Sequence, residues 1–442
     1  MSKPVCLVTA PVATRSGYGA HSRDIVRSLI ALDRYDVKIW SVRWGNTPMN
    51  ALNVDDENDK IIIDRILSTP ELPQQPELHV HVVIPNEFQP IAKYNIGITA
   101  GLETTACPPE WIQGMNRMNM NIVPSKFVKE SISKVSYDIQ NEKTQQIEGV
   151  LKNEKPIEVL FEGADTNIYK KTNEFSQDLV DEMNKVEEDF SFLYVGHWLQ
   201  GGLGQDRKDT GMLVKVFCET FKNMKKQPAL IMKTSSASFS VLDRENMLNR
   251  INEIKSQING SCPNIYLIHG DFTDDEMNGL YNHPKVKAHV SFTHGEGFGR
   301  PLLEASLSEK PVIAPRWSGH VDFLDSTKSV LLDGDLTAVE KGSFPENFHV
   351  DGSQWFTINY QKASKTLRTI YRSYKKYTTN AKKLSIQNKS KFSLDAMTRE
   401  FGNILDKYVP EFPKSVELKL PKLKKVGESK APKIKLPKLK KV

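Results

Sequence analysis

Along most of the chain, short runs of β-branched and aliphatic residues alternate with longer stretches whose apolar positions recur every three or four residues. The first pattern suits strands buried on both faces, and the second suits helices packed over them. Their alternation predicts βαβ units with parallel sheets. In the first half, apolar runs predict strands over residues 5–10, 36–42, 79–84, 95–100, 120–124 and 157–161. A second series begins at 190–196 and continues over 229–233, 264–269, 287–292, 312–314 and 329–332. Two successive sheets are expected. The polar stretch 166–188 lies between the two series and reads as an interdomain connection, and residues 136–155, rich in Gln, Asn, Glu and Lys, read as a surface insertion on the first domain. From 363 to 408 the spacing is helical, with Leu367, Ile370, Tyr371 and Tyr374 on the stripe expected to meet the core.

Past Pro410 the pattern stops. Residues 419–426, Lys-Leu-Pro-Lys-Leu-Lys-Lys-Val, recur verbatim as 435–442, each copy carrying a central proline that rules out one continuous helix. Too few apolar groups remain there to build a core, so a flexible tail is expected. The chain therefore divides into a Rossmann-like domain over 1–165, the connection 166–188, a second Rossmann-like domain over 189–385, a helix over 386–412 returning to the first domain, and a disordered Lys-rich tail over 413–442.

A length of 442 residues suits two such domains, and two domains imply a cleft. The hydrophobic and charged fractions, 39% and 26%, are those of a chain that folds in water. No apolar run approaches the roughly 20 residues that span a bilayer, and the amino-terminal apolar run reads as a first strand rather than a signal peptide, which predicts a cytoplasmic protein without a transmembrane segment. Cys6, Cys107, Cys218 and Cys262 are scattered, which argues against a zinc site or a disulfide framework. The net charge of +6 changes meaning once it is divided along the chain. Residues 414–442 hold eleven Lys and two Glu, so the body before them is slightly acidic, and nucleic-acid binding by the whole protein is disfavoured. The tail itself is expected to meet an anionic surface or an acidic partner.

Chemistry concentrates in His294-Gly-Glu-Gly-Phe-Gly-Arg-Pro-Leu-Leu-Glu-Ala-Ser306, directly after a predicted strand. A strand, a glycine-rich turn and a helix opened by Pro301 together aim unpaired backbone N–H groups at an oxygen-rich ligand. Glu296 lies in the turn and Glu304 lies about one turn into the helix, so the two carboxylates can meet different parts of one extended ligand. In the loop after the strand at 190–196, Arg207 and Lys208 offer the cations that a diphosphate needs. Between the first strand and the first helix, Thr14-Arg-Ser-Gly17-Tyr-Gly19-Ala-His21 forms a second glycine loop. A nicotinamide-binding fingerprint would need a third glycine where Ser22 stands and a carboxylate ending the second strand, where 39–44 has none; a dehydrogenase is disfavoured. His79, His81 and His269 have no metal-ligand spacing and read as strand residues.

The run around Glu296 and Glu304, followed by Lys310-Pro-Val-Ile-Ala-Pro315 and Ser318-Gly-His-Val-Asp-Phe-Leu324, closely resembles the large family of retaining nucleotide-sugar glycosyltransferases of GT-B fold that carries two glutamates seven residues apart. The resemblance spans about residues 5–408. Also similar to that family are the segment from Asn95 to Glu103 with Pro109-Glu-Trp111, the strand and serine turn Asn121-Ile-Val-Pro-Ser125, and Glu162-Gly-Ala-Asp165. It implies an α/β fold with two parallel sheets facing each other across a cleft. By position it assigns Glu304 to the ribose of the nucleotide, Glu296, Gly297, Phe298 and Gly299 to sugar hydroxyls of the donor, Arg207 and Lys208 to the phosphates, and Gly17 and Gly19 to the donor phosphates across the cleft. Glu103 falls where many members place a residue near the transferred sugar, although a helix-capping carboxylate fits it equally.

The implied reaction moves a sugar, hexosyl or related, from a nucleoside diphosphate sugar such as a UDP- or GDP-sugar to a hydroxyl of a glycan, a lipid or a protein-linked sugar. It implies retention of anomeric configuration, no cofactor and no metal. Other readings are an epimerase or phosphorylase on the same architecture, or a carbohydrate-binding protein without catalysis.

Overall fold

The computed structural model describes residues 3–412 except 142, 237–238, 345–347 and 349, so the Lys-rich tail expected over 413–442 lies outside the described residues. The first half contains β1 (Val5–Ala10), β2 (Asp36–Ser41), β3 (Leu78–Val82), β4 (Tyr94–Ile98) and β5 (Met120–Val123), then a hairpin of β6 (Ser136–Gln140) and β7 (Ile147–Lys152), then β8 (Ile157–Val159). Its helices are α1 (Gly17–Leu32), α2 (Glu57–Ile63), α3 (Pro109–Arg117) and α4 (Lys126–Lys134). The second half runs α5 (Gln177–Asn184), β9 (Ser191–Val195), α6 (Thr210–Phe221), β10 (Ala229–Lys233), α7 (Val241–Ser256), β11 (Ile265–Ile268), α8 (Asp274–Asn282), β12 (Val286–Val290), α9 (Arg300–Ser306), β13 (Val312–Pro315) and β14 (Val330–Leu332). A second hairpin, β15 (Gly334–Ala338) with β16 (Gln354–Ile358), precedes α10 (Tyr360–Ser373), α11 (Lys375–Lys391) and α12 (Leu394–Tyr408).

Each half carries one six-stranded sheet, ordered β2-β1-β3-β4-β5-β8 and β11-β10-β9-β12-β13-β14, and every strand pair within both is parallel. The twelve strands coincide with the twelve predicted apolar runs to within one or two residues at each end. Strands buried on both faces have continuous apolar sequences, and that made them legible. Leu78–Val82 is buried at every position, with His79 held in the core by hydrogen bonds to Thr9 and Gln89, and His81 by one from the Gln89 N–H. Both faces of each sheet carry an apolar layer, Cys6, Val8, Ile25 and Phe401 belonging to one layer of the first sheet and Phe192, Phe217, Phe221 and Leu367 to one layer of the second. All four cysteines are free thiols.

Three features were not legible. The insertion at 136–155 is an ordered antiparallel hairpin whose residues are mostly exposed, so it has no apolar alternation to betray it. The polar stretch 166–188 is more than a connection: Tyr169, Leu179, Met183 and Val186 are buried in the second half's core, and α5 packs on α8. The hairpin β15–β16 lies beside the glycine-rich turn after β12, with Phe356 N donating to His294 O.

The halves are joined twice. Ala164 N donates to Phe392 O and Leu394 N to Ala164 O, so the outgoing connection crosses the start of α12 by backbone hydrogen bonds. From there α12 lies along α1, with Ser28 Oγ and Thr398 Oγ1 2.8 Å apart and Arg34 gripping Asp406. Among the described residues no helix is long and apolar enough to cross a membrane.

Candidate functional site

In an open parallel sheet, a ligand crevice forms beyond the carboxyl ends of two neighbouring strands whose connections leave in opposite directions. In the second sheet that switch lies between β9 and β12. The loop after β9 carries Arg207 and Lys208, and the loop after β12 carries Glu296 to Gly299. Topology alone therefore brings the two expected groups together, although about 90 residues separate them in sequence.

Side-chain geometry follows. Lys208 Nζ lies 2.5 Å from Glu296 Oε1, and Arg207 NH1 lies 3.5 Å from Glu296 Oε2 and 3.5 Å from Glu103 Oε1. Both cations turn inward. Glu103 sits in the loop after β4, too far from α3 in sequence to cap it, and faces Arg207 from the first half. Burial alone would raise the pKa of Glu296, but Lys208 and then Arg207 outweigh it and hold the carboxyl at about 2. The site is thus a charged cluster of two half-buried cations, the buried Glu296 and the half-buried Glu103, drawn from three loops.

The glycine turn is clamped from several directions. His294 donates its N–H to Arg207 O, stacks on Trp355 with centroids 4.1 Å apart, and places its ring nitrogens 2.8 Å from Phe356 O and 3.2 Å from Gly204 O. Ser318, held at φ 75°, accepts from Glu296 N through its hydroxyl, and Gly319 N donates to Glu296 O. A non-glycine residue at positive φ is strained, and here the strain accompanies a hydroxyl aimed at the turn. From the first half, Ser125 Oγ donates to Gly297 O at 2.6 Å, and Lys126 N donates to Asp322 Oδ2.

This closeness explains the glycines. A Cβ on Gly295 would stand 2.0 Å from Glu103 O, and one on Gly297 would stand 2.1 Å from Ala100 O. Gly299 takes φ 96° to start α9. The N–H groups of Gly297, Phe298 and Gly299 have no acceptor among the described residues, which leaves three donors beside the cations. The Phe298 side chain is buried in the core, so what that residue offers a ligand is its backbone. In the opposite loop Gly19 gives its N–H to the capping Ser16 Oγ, whereas nothing lies within 4 Å of a Cβ on Gly17.

Glu304 stands apart from this cluster. It is 6% exposed, with Arg300 Nε 2.8 Å from Oε1 and the Tyr281 hydroxyl 3.2 Å from Oε2. Burial pushes its pKa up to about 7 against the pull of Arg300. Arg300 also grips Asp24 on α1, and Asp24 leads on to Arg27 and Asp59. A buried chain of alternating charge therefore crosses from one half to the other. Beside it Glu162 is raised to about 8 by burial, with Arg300 opposing and Asp24, Glu304 and Glu296 reinforcing the rise. Neither Arg300 nor Asp24 stands out as a site residue in the sequence. Four-residue spacing, which sets Arg300 and Glu304 on one face of α9, is the signal that could have found Arg300, whereas Asp24 has no local signal. Arg15 and Asp271 form a third ion pair between the halves, at 2.9 Å.

Solved structures resemble most of the chain. Sucrose-phosphate synthase from Thermosynechococcus elongatus aligns with a TM-score of 0.59 at 12% identity, over 92% of this chain and 98% of that one. HepE from Anabaena, in complex with UDP-glucose, aligns with a TM-score of 0.58 at 13% identity, over 91% of this chain and 100% of that one. A glycosyltransferase from Rickettsia africae aligns with a TM-score of 0.56 at 15% identity, over 92% of this chain and 99% of that one. No protein-family model and no curated protein matches the sequence. At these identities the likeness is one of fold, and the fold is GT-B: two Rossmann-like halves with parallel sheets, joined by a connection and a returning C-terminal helix.

Proposed function

We propose that this GT-B chain is a glycosyltransferase that moves a sugar from a nucleoside diphosphate sugar to a hydroxyl acceptor, with retention of configuration and without a metal. The observation that carries the reading is the convergence of Arg207, Lys208, Glu296 and three free amides at the switch point of the second sheet, faced by Glu103 from the first. When the bond between the anomeric carbon and the diphosphate breaks, its electron pair leaves on the diphosphate. Arg207 and Lys208 are placed to stabilise that charge, the role a divalent cation would otherwise fill. Glu296 lies between those cations and the free amides, within reach of sugar hydroxyls, which a carboxylate accepts in pairs. Glu304, one turn farther along α9, is the acceptor for ribose hydroxyls. It enters that task already holding Arg300 and Tyr281, so two of its four lone-pair sites remain. Contact between the halves around Gly297 excludes water from the reacting centre. Solved structures of this fold support the reading, among them one holding UDP-glucose.

The test is nucleoside diphosphate release from a panel of UDP- and GDP-sugars with and without hydroxyl acceptors, in the presence of a chelator. Release that requires acceptor and survives chelation is expected. Release without acceptor would indicate a hydrolase, saturable binding without release a carbohydrate-binding protein, and restoration only by a divalent ion a metal-dependent enzyme. Within the active protein, Lys208→Ala and Glu304→Ala should each cost about 1.5 to 3 kcal/mol of donor use, roughly 10- to 150-fold in kcat/KM, since each removes a charge-assisted contact. Unchanged kinetics in both would overturn the site assignment.

A further inference from the structure

A face remote from the cleft has a composition that the proposed reaction does not use. From Tyr360 to Lys391, across α10 and α11, ten residues are basic and none is acidic. All ten, Lys362, Lys365, Arg368 and Arg372 on α10 and six lysines on α11, are exposed, and none forms an ion pair among the described residues. Glu219 on α6, across a groove from Lys365 and Arg368, is already paired with Lys222. Exposed Lys225 continues the patch, since the adjacent Lys226 carbonyl accepts from Tyr371 on α10.

Several physical costs attend this arrangement. Surfaces kept only for solubility mix the two signs of charge. Like charges four residues apart on a helix repel, and Lys375 and Lys376 occupy the first turn of α11, where the helix dipole disfavours cations. The chain as a whole carries +6, and its last 29 residues alone hold eleven Lys against two Glu. Everything outside α10, α11 and that tail is therefore net acidic, and the positive charge is segregated onto one folded face and one terminal segment.

The kind of partner follows from residue choice. Eight of the ten cations are Lys, compact hydrated charges suited to a smeared anionic field, whereas nucleic-acid recognition draws on planar Arg and on stacking aromatics. Ile386 is 62% exposed, with Lys382, Lys383 and Lys389 three or four positions away on the same side of α11. An apolar side chain ringed by lysines is the pattern of an interfacial helix, whose lysine stems run along apolar surface while the ammonium groups meet phosphates.

We propose that the α10–α11 face docks the folded body onto an anionic phospholipid surface, with Ile386 entering the headgroup boundary. This docking is independent of the glycosyl-transfer reading and separate from any contact the tail makes. The test is co-sedimentation of the full chain with vesicles of phosphatidylcholine alone and of phosphatidylcholine with phosphatidylglycerol. The parent should partition only to the anionic vesicles, and less so as salt rises. Charge reversal of Lys375, Lys376, Lys382 and Lys383 to Glu should lower that partition at least about tenfold, because each lysine near an anionic surface contributes a comparable share of the attraction. The same chain with its tail lysines changed to Gln should keep a measurable part of it, and Ile386→Ser should weaken the part that persists at high salt. Thermal melts matching the parent establish that the variants fold; should the fourfold reversal not fold, Lys382→Gln with Lys383→Gln takes its place. Partition unchanged by the helix substitutions, or lost entirely with the tail lysines, overturns the proposal. Failure to bind anionic vesicles together with tight binding of duplex DNA assigns the face to nucleic acid and overturns it equally.

Discussion

Glu296 and Glu304 belong to one short motif, yet the structure sends their proton affinities in opposite directions. Lys208 and Arg207 more than offset burial at Glu296 and hold it at about 2, while Glu304 is lifted by burial to about 7 and Glu162 to about 8. The signs decide how stability should depend on pH. A carboxyl raised above its ordinary value favours the fold while protonated, so the contributions of Glu304 and Glu162 are complete below about pH 4.5 and disappear as pH rises through 7 and 8. Glu296 acts oppositely, contributing above about 4.5 and failing only as pH falls toward 2. Between pH 5 and 8 Glu304 and Glu162 should therefore each contribute a decline in the stability of the ligand-free protein as pH rises, whereas the buried histidines, whose pKa values burial lowers, contribute the opposite slope below about pH 6.5. Glu162→Gln, which keeps the shape and removes the proton, should flatten this decline in melts across that range; parallel profiles for variant and parent would show that Glu162 does not titrate as described. The two glutamates were legible as residues, but their contrast was not, because it depends on Lys208 and Arg207 reaching Glu296 through space while burial prevails at Glu304.

At the scale of elements, the turn between β12 and α9 works because it has no side chains where the first half touches it. Gly297→Ala should push against the Ala100 carbonyl, a backbone atom that cannot rotate away, and Gly295→Ala should do the same to the Glu103 carbonyl. The expected outcome is two folded halves held apart: far-ultraviolet circular dichroism unchanged, a larger radius of gyration in small-angle scattering, and kcat/KM for sugar transfer reduced at least about 100-fold, the scale of an ångström-sized misplacement. Gly17→Ala, where nothing lies within 4 Å, should leave the scattering profile at the parent value. If all three alanines behave alike, the turn is not in the contact described. The glycines were visible in the sequence as a turn between strand and helix. That they also admit the opposite half's backbone was not, since a close approach has no local pattern.

For the whole molecule, the Glu304–Arg300–Asp24 chain links the expected ribose carboxylate to the closure of the two halves. Asp24→Asn removes one partner of a buried ion pair and should cost on the order of 3 kcal/mol, appearing as domain opening and a raised KM for donor. Replacing both ends with apolar residues, Asp24→Leu with Arg300→Met, should recover part of the melting temperature without recovering donor affinity, because Arg27 keeps Asp59 while Glu304 loses its cation. Recovery of both would reduce the pair to packing, and no loss in Asp24→Asn would exclude it as a latch. Arg15 and Asp271, more exposed, should contribute far less.

The twelve strands, their division into two series and the glycine-rich and charged loops were written in the sequence, because strands buried on both faces need unbroken apolar runs and the loops have glycine next to charge. Strand order was not. The placement of β9 beside β12, and so of Lys208 against Glu296, arises from sheet topology, which joins residues about 90 positions apart without leaving a local mark. The burial of α5, the hairpins at 136–152 and 334–358, and the crossing from Arg300 to Asp24 were likewise decided by tertiary packing, where a polar or charged segment is held by partners that lie elsewhere in the chain.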